Sequence, residues 1–89
     1  MIRRTVIFRG TVQGVGFRWT VLRLAAEFRV GGTVRNCGDG SVELVAEGQA
    51  DEVSGLVVAI AGRMGDTISE TSETESQATG EFGDFRVIG

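Results

Sequence analysis

The sequence predicts an α+β domain in which an antiparallel sheet of four to five strands carries two helices on one face. Two patterns support this fold class: apolar residues alternate with polar ones in several short stretches, and they recur at helical spacing in two longer ones. These stretches follow each other in the order β-α-β-β-α-β, with an extra short strand before the last. The length of 89 residues suits one core, so residues 1–89 are predicted to form a single domain.

The first strand is predicted over Thr5–Val12 and the first helix over Phe17–Arg29, with the glycine-containing loop 13–16 between them. One face of the strand consists of Val6, Phe8, Gly10 and Val12. The apolar stripe of the helix consists of Val21, Leu24, Ala25 and Phe28. Gly31 and Gly32 are predicted to end the helix, because glycine is common directly after a helix.

The next two strands are predicted to form a hairpin. They cover Thr33–Asn36 and Ser41–Glu47 and are joined through Cys37–Gly40. The dipeptide Asp39-Gly40 favours a tight turn, because glycine adopts a positive φ without a steric clash. The core face of the second strand in this hairpin is predicted to consist of Val42, Leu44 and Ala46.

The second helix is predicted from an apolar stripe that consists of Val53, Leu56, Val57, Ile60 and Ala61. Beyond it, residues 66–75 have only Ile68 as an apolar anchor, which predicts one short or ragged strand. The stretch 71–80 is rich in Ser, Thr and Glu and predicts a polar loop. Phe85 and Val87 restore the alternation of a last strand. The order of elements corresponds to the ferredoxin-like split βαβ arrangement.

Missing residue types narrow the possible chemistry. The chain has no histidine and no lysine, and all nine basic residues are arginine. Imidazole bases, Ser-His-Asp and Cys-His pairs, Schiff-base lysines and phosphate-binding lysines are therefore excluded. Arginine keeps its proton in proteins, so it can hold an anion but cannot act as a base. With Cys37 as the single cysteine and no histidine, no metal site and no cofactor are predicted.

The net charge of −3 hides a strong asymmetry. Residues 1–38 contain seven arginines and one acidic residue, whereas residues 39–89 contain two arginines and eleven acidic residues. The arginines of the first half are dispersed and lack interleaved aromatic residues, which favours a site for a small anion over a nucleic-acid surface. No stretch approaches the ~20 apolar residues of a membrane span, and there is no signal peptide or disulfide pair. A cytoplasmic monomer without nucleic-acid or membrane partners is therefore expected.

The loop before the first helix has the composition of an anion-binding cradle. Gly14 and Gly16 permit a tight turn that directs consecutive N–H groups toward one point, and the helix N-terminus adds donors and partial positive charge. Arg18, in the first helical turn, can grip a phosphate through two parallel hydrogen bonds. On these residues alone, a plain connecting turn and a solvated surface arginine remain alternatives, and Asn36 could be an ordinary hairpin residue.

Two blocks of the sequence resemble the acylphosphatase family. The stretch Gly10–Arg18, GTVQGVGFR, is similar to the phosphate-binding signature of that family. Gly32–Asn36 followed by Asp39–Glu43 is similar to its asparagine-bearing strand and hairpin. The resemblance extends over roughly residues 5–62 and implies an enzyme that hydrolyses acyl phosphates to a carboxylate and inorganic phosphate.

The resemblance also implies roles for individual residues. Arg18 and Asn36 would be the catalytic residues, Arg18 binding the phosphate and Asn36 orienting the attacking water. The backbone N–H groups that would cradle the phosphate of the acyl phosphate substrate are those of Gly14, Val15, Gly16, Phe17 and Arg18.

Several assignments stay open at this stage. A similar motif begins large carbamoyl-transferring hydrogenase maturation proteins, so a non-catalytic or carbamoyl-phosphate-handling domain is the alternative. Trp19 is predicted to pack at the edge of the cradle, with a substrate platform as the alternative, and Cys37 to be a thiol without function. Gln13 and Thr20 could donate hydrogen bonds near the site or serve only the turn and the helix cap. The chain departs from the family pattern mainly near its C-terminus, where the polar stretch 69–81 has no recognised counterpart.

Overall fold

The chain forms five strands and two helices, and the computed structural model describes all of residues 1–89. The strands are β1 (Ile2–Gly10), β2 (Val30–Asn36), β3 (Val42–Gly48), β4 (Ile68–Gln77) and β5 (Phe85–Ile88). The helices are α1 (Phe17–Ala25) and α2 (Ala50–Met64), and a 3₁₀ turn (Gly65–Thr67) follows α2.

All five strands belong to one sheet in the order β4-β1-β3-β2-β5. The predicted ferredoxin-like sheet with two helices is confirmed, although one of its strand pairs is parallel rather than antiparallel. The pairs β1–β3, β1–β4 and β2–β3 are antiparallel, whereas β2 and β5 are parallel. The cause is the connection 78–84, which leads from one edge strand to the other and reverses the chain, so that β5 runs in the direction of β2.

The core lies between one face of the sheet and the two helices, and it consists of 14 buried apolar residues. The strand faces predicted from alternation are confirmed in Val6, Phe8, Val12, Val42, Leu44 and Ala46. The helical stripes are confirmed in Val21, Leu24, Ala25, Val53, Leu56 and Ile60. Gly10, at the end of β1, and Ala61, in the last turn of α2, were predicted on the same faces but are exposed. Neither helix has the length and apolarity that crossing a membrane requires.

The first helix is shorter than the sequence pattern predicts. It ends at Ala25, and Phe28 N–H then donates to Ala25 O at 3.1 Å in a tighter turn. The ring of Phe28 still contributes to packing, because it contacts α2 at Gly55. Gly31 and Gly32 do not end the helix but lie within β2, where Phe82 and the backbone of β3 approach too closely for a side chain.

The segment predicted to be a ragged strand and a polar loop is the ten-residue strand β4. It pairs with β1 from Ile2 opposite Gln77 to Arg9 opposite Glu70. Because it is an edge strand whose side chains are almost all exposed, backbone hydrogen bonds hold it and no apolar alternation is needed. Its identity could therefore not be inferred from hydrophobic periodicity.

The connection 78–84 crosses the sheet face opposite the helices and is held by a buried carboxylate. Glu47 of β3 accepts hydrogen bonds from Thr79 N–H and Gly80 N–H, and its Oε2 lies 2.7 Å from Nε of Arg3. The Arg3 guanidinium also lies over the ring of Phe82, 5.2 Å from its centroid. These contacts join the start of β1, the end of β3 and the connection.

Candidate active site

The start of α1 is fixed on the sheet by an aromatic contact. Phe17, the first residue of the helix, is buried, and its ring lies 5.2 Å from the ring of Phe8 on β1. The preceding loop turns through Gly14 and Gly16, whose φ angles are 78° and 76°. A side chain would meet no atom at either position, so the requirement for glycine comes from the backbone conformation.

The backbone of this loop presents unused donors. None of the N–H groups of residues 14–19 donates to an acceptor within the chain. The first acceptor of the helix, Gly16 O, receives both Thr20 N–H at 3.0 Å and Thr20 Oγ1 at 2.9 Å. The first turn contains no acidic residue, so the positive end of the helix dipole is not neutralised there. The loop therefore offers a group of donors to an anion.

Gln13 ties this loop to the β2–β3 hairpin. Its Nε2 donates to Cys37 O at 2.8 Å and to Ser41 O at 2.9 Å. The hairpin closes through Cys37 N–H donating to Ser41 O at 2.8 Å. Asn36 is the last residue of β2, directly before the turn of this hairpin, so the Gln13 side chain links the glycine loop to the end of the strand that carries Asn36.

Arg18 and Asn36 line the same pocket, although 17 residues separate them in the sequence. The pocket has a volume of about 80 Å³ and is lined by Val12, Gly14, Gly16, Phe17, Arg18, Trp19 and Asn36. Asn36 reaches it because it lies two residues after the buried Val34 on β2, and hence on the face that the helices cover. Arg18 reaches it from the first turn of α1.

The charge in the pocket is positive and unbalanced. No acidic residue lines it, and Arg18 forms no ion pair within the chain. By contrast, the arginines that do form ion pairs are Arg3, Arg4, Arg9, Arg35 and Arg86. The hairpin carboxylate of Asp39 is occupied elsewhere: hydrogen bonds from Ser41 and then the ion pair with Arg9 lower its pKa well below the ordinary value. Arg18 is thus left free for an external anion.

Asn36 also has an unsatisfied group. Its Oδ1 is buried and accepts no hydrogen bond from the chain. A buried acceptor without a partner costs roughly 1–3 kcal/mol, so the amide is suited to a donor that enters the pocket. Water or a hydroxyl group are donors of this kind.

The structure brings most of the predicted site residues together. Gly14, Gly16, Phe17, Arg18 and Asn36 all line the pocket. Val15 does not line it, and its side chain is 43% exposed. Trp19 lines it, so its predicted place at the edge of the cradle is confirmed, but the residue is 64% exposed rather than packed inside the fold. Nothing in its spacing distinguished it from a core aromatic. Gln13 and Thr20 take the structural roles described above.

Fold and pocket together define a small ferredoxin-like domain with a glycine-loop site suited to a phosphate-like anion. The sequence profile of the acylphosphatase family matches residues 4–87. The chain is 48% identical over 88 residues to an acylphosphatase of Paenarthrobacter aurescens, covering 98% of this chain and 94% of that protein. It also superposes on the crystal structure of acylphosphatase from Bacillus subtilis with a TM-score of 0.90, 31% identity and full coverage of both chains. The chain therefore belongs to the acylphosphatase family.

A longer protein contains a similar fold. The structure of T. kodakarensis HypF matches with a TM-score of 0.84 and 28% identity, covering 99% of this chain but only 12% of that one. The likeness is thus to a small part of a large protein, whereas the Bacillus subtilis structure matches over its whole length. The comparisons favour the acylphosphatase interpretation over the alternative of a carbamoyl-phosphate-handling domain.

Proposed function

We propose that the chain hydrolyses acyl phosphates, with Arg18 binding the phosphate group and Asn36 orienting the water that attacks it. The single observation that carries this assignment of roles is that the two side chains line one pocket together with the glycine loop. Membership of the acylphosphatase family supports the class of reaction, and the geometry of the pocket supports the roles of the residues.

The phosphate is bound by charge and by backbone donors. The N–H groups of residues 14–18 have no acceptor in the chain, and the guanidinium of Arg18 has no carboxylate partner. Phosphate oxygens accept from both sets of donors. As water attacks, charge on these oxygens is stabilised by groups that are already oriented, which is the main source of catalysis in such sites.

The attacking water is held by the amide of Asn36. Its Oδ1 accepts one O–H of the water, which leaves the oxygen lone pair directed at phosphorus. The new O–P bond forms as the bond between phosphorus and the carboxylate oxygen breaks, and the carboxylate leaves with the electron pair. Since an amide cannot take a proton, the proton of the water passes to a phosphate oxygen. The leaving carboxylate is a weak base and needs no acid.

Metal-independent hydrolysis is part of the proposal. The residues lining the pocket include no carboxylate, thiol or imidazole, which are the usual protein ligands of catalytic metals. We therefore expect that a chelator leaves the rate of hydrolysis unchanged. A rate that a chelator abolishes and an added metal restores would contradict this part of the proposal.

The decisive experiment measures phosphate release from acetyl phosphate by the wild type and by Arg18→Ala. We expect Arg18→Ala to lower kcat/KM by about 100-fold or more and to abolish competitive inhibition by inorganic phosphate. Arg18→Lys should retain only part of the wild-type kcat/KM and phosphate inhibition, because an ammonium group cannot form the two parallel hydrogen bonds of a guanidinium.

Arg23→Ala is the matched control. Arg23 lies on the same helix, forms no ion pair and does not line the pocket, so its loss removes the same charge without removing the contact. Near-wild-type activity in Arg18→Ala, or equal losses in both variants, would show that Arg18 does not bind the substrate.

The proposal includes a cytoplasmic monomer. The single cysteine, Cys37, cannot form a disulfide within the chain, which agrees with a reducing compartment. Sedimentation of the active protein at the mass of a dimer would contradict the monomer.

A further inference from the structure

One exposed apolar side chain, that of Trp19, lines the pocket, and a second, that of Val15, belongs to the loop beside it. Only five large apolar residues of the chain are exposed, namely Met1, Val15, Trp19, Val58 and Ile88. Two of these five, Trp19 and Val15, belong to the glycine loop and the first turn of α1. Trp19 lines the pocket, and Val15 lies between the two pocket-lining glycines. An indole that is 64% exposed leaves most of its apolar surface in water.

The pocket is too small for a whole organic ligand. Its volume is about 80 Å³, whereas sites that enclose a drug-sized molecule have roughly 300–1,000 Å³. On this measure one water molecule needs roughly 10–15 Å³, so the pocket has room for a group of several heavy atoms. The phosphate group fits this description, and the rest of an acyl phosphate has to lie outside, over the rim.

We propose that the side chain of Trp19 forms an acyl-binding platform, and that the preferred substrates carry an aromatic or extended apolar acyl group. This inference rests on the proposed hydrolysis of acyl phosphates and names the substrate class of that same site. The exposed indole offers a flat apolar surface against which an aromatic acyl group can stack or lie. An acetyl group is too short to cover much of it.

The first test compares benzoyl phosphate with acetyl phosphate. In the wild type we expect the higher kcat/KM for benzoyl phosphate. Trp19→Ala should lower the ratio of the two kcat/KM values by roughly 3- to 10-fold, the size expected for the loss of one aromatic contact. Trp19→Phe should keep the ratio of the two kcat/KM values close to that of the wild type. Val58→Ala is the matched control, since Val58 is 70% exposed but lies on α2 and does not line the pocket; the ratio should not change.

The second test needs no turnover. Trp19 is the only tryptophan of the chain and there is no tyrosine, so the intrinsic fluorescence reports on this one side chain. Benzylphosphonate and methylphosphonate carry the same anionic group and differ in the apolar part. We expect benzylphosphonate to change the emission of Trp19 saturably and to bind roughly 3- to 10-fold more tightly than methylphosphonate. Methylphosphonate should compete with it while changing the emission much less.

The outcomes distinguish a failure of the proposed acyl-binding platform from a failure of the proposed hydrolysis. If acetyl phosphate is hydrolysed but Trp19→Ala leaves the benzoyl-to-acetyl ratio unchanged, the platform is wrong and the proposed function stands. Equal affinities for the two phosphonates would overturn the platform in the same way. If the wild type hydrolyses neither acyl phosphate, the proposed function fails, and the assignment of the acyl group to Trp19 fails with it.

Discussion

Asn36 lies in the pocket because of the pleat of β2. Val34 is fully buried. Asn36 lies two residues further along β2, so its side chain is on the same face of the sheet, where α1 begins. The hydrogen bonds from Gln13 to Cys37 O and Ser41 O then fix the end of the strand against the glycine loop. The amide is therefore held by backbone geometry on one side and by a side-chain tie on the other.

This geometry leads to a prediction for Asn36→Ala. We expect kcat to fall by a factor that corresponds to about 3–4 kcal/mol, the scale of losing one oriented donor or acceptor in an active site. KM and the inhibition constant of phosphate should stay near the wild-type values, because the amide contacts the water rather than the phosphate. Steady-state kinetics with acetyl phosphate provide the measurement.

Asn36→Asp tests the role of the amide more sharply. A carboxylate could act as a base, but it would lie beside an anionic substrate, and in a small pocket the repulsion between these charges outweighs that gain. We expect Asn36→Asp to be no more active than Asn36→Ala at neutral pH. If Asn36→Asp kept near-wild-type activity, a general base would have to replace the oriented amide in the mechanism.

Residue roles could be predicted from the sequence only in part. Arg18 and Asn36 were predicted from motifs, and their meeting in one pocket agrees with that prediction. The environment of Trp19 could not be predicted, because exposure depends on what covers the first turn of α1, and no local pattern encodes that. The same holds for the partners of Gln13, which lie more than 20 residues away in sequence.

Among the structural elements, the glycine loop and α1 carry the site, and the backbone of Gly16 is central to both. Gly16 precedes the helix with a left-handed conformation, φ 76° and ψ 17°. A residue with a Cβ pays roughly 1–2 kcal/mol for this conformation. We therefore expect Gly16→Ala to lower the free energy of unfolding by about that amount and to weaken inhibition by phosphate, since relieving the strain redirects the N–H groups. Chemical denaturation and inhibition kinetics measure the two effects.

Gly62→Ala is the matched control for Gly16→Ala. Gly62 lies within α2, has no positive φ, and a Cβ there would meet no atom. The same chemical change should raise stability by about 0.5–1 kcal/mol, because alanine favours the helix. If both substitutions changed stability in the same direction, the left-handed conformation of Gly16 would not be the cause of its effect.

Elements with a buried face were predicted, although the end of α1 was not, whereas the full length of the exposed strand β4 was missed. The alternation of β1 and β3 and the stripes of α1 and α2 follow from burial against one core. By contrast, β4 is held by backbone pairing at an edge, and the direction of β5 is set by the connection before it. Neither property leaves a periodic signal in the sequence.

At the scale of the whole molecule, the asymmetric charge of the two chain halves becomes a set of ion pairs across the sheet. Arg4 on β1 pairs with Glu75 on β4, and Arg3 pairs with Glu47 and Glu81. The basic half thus meets the acidic half in these pairs. Arg18 belongs to the same basic half but forms no ion pair, so its positive charge stays unpaired in the pocket.

Glu47 is the most buried carboxylate of these pairs, at 7% exposure, and it gives the fold a dependence on pH. Burial acts to raise its pKa, but hydrogen bonds from Thr79 N–H, Arg3 and Gly80 N–H outweigh burial and lower the pKa from 4.5 to about 2. A carboxylate whose pKa is lowered in the folded state contributes stability that is complete above the unfolded value and is lost as the pH falls. We therefore expect the melting temperature to fall between pH 4.5 and about 2 in part because of Glu47.

Glu47→Gln removes this ionisation while keeping the size of the side chain. At neutral pH we expect it to lower the free energy of unfolding by ~2–4 kcal/mol, because an amide donor then faces the N–H groups of Thr79 and Gly80 and Arg3 loses its buried partner. As the pH falls from 4.5 to about 2 the difference from the wild type should shrink, since the Glu47 carboxylate becomes protonated first in the unfolded and then in the folded chain. Glu75→Gln is the control: its pair with Arg4 is exposed and should contribute under 1 kcal/mol. A difference between Glu47→Gln and the wild type that stays constant from neutral pH to pH 2 would show that the charge of Glu47 does not stabilise the fold.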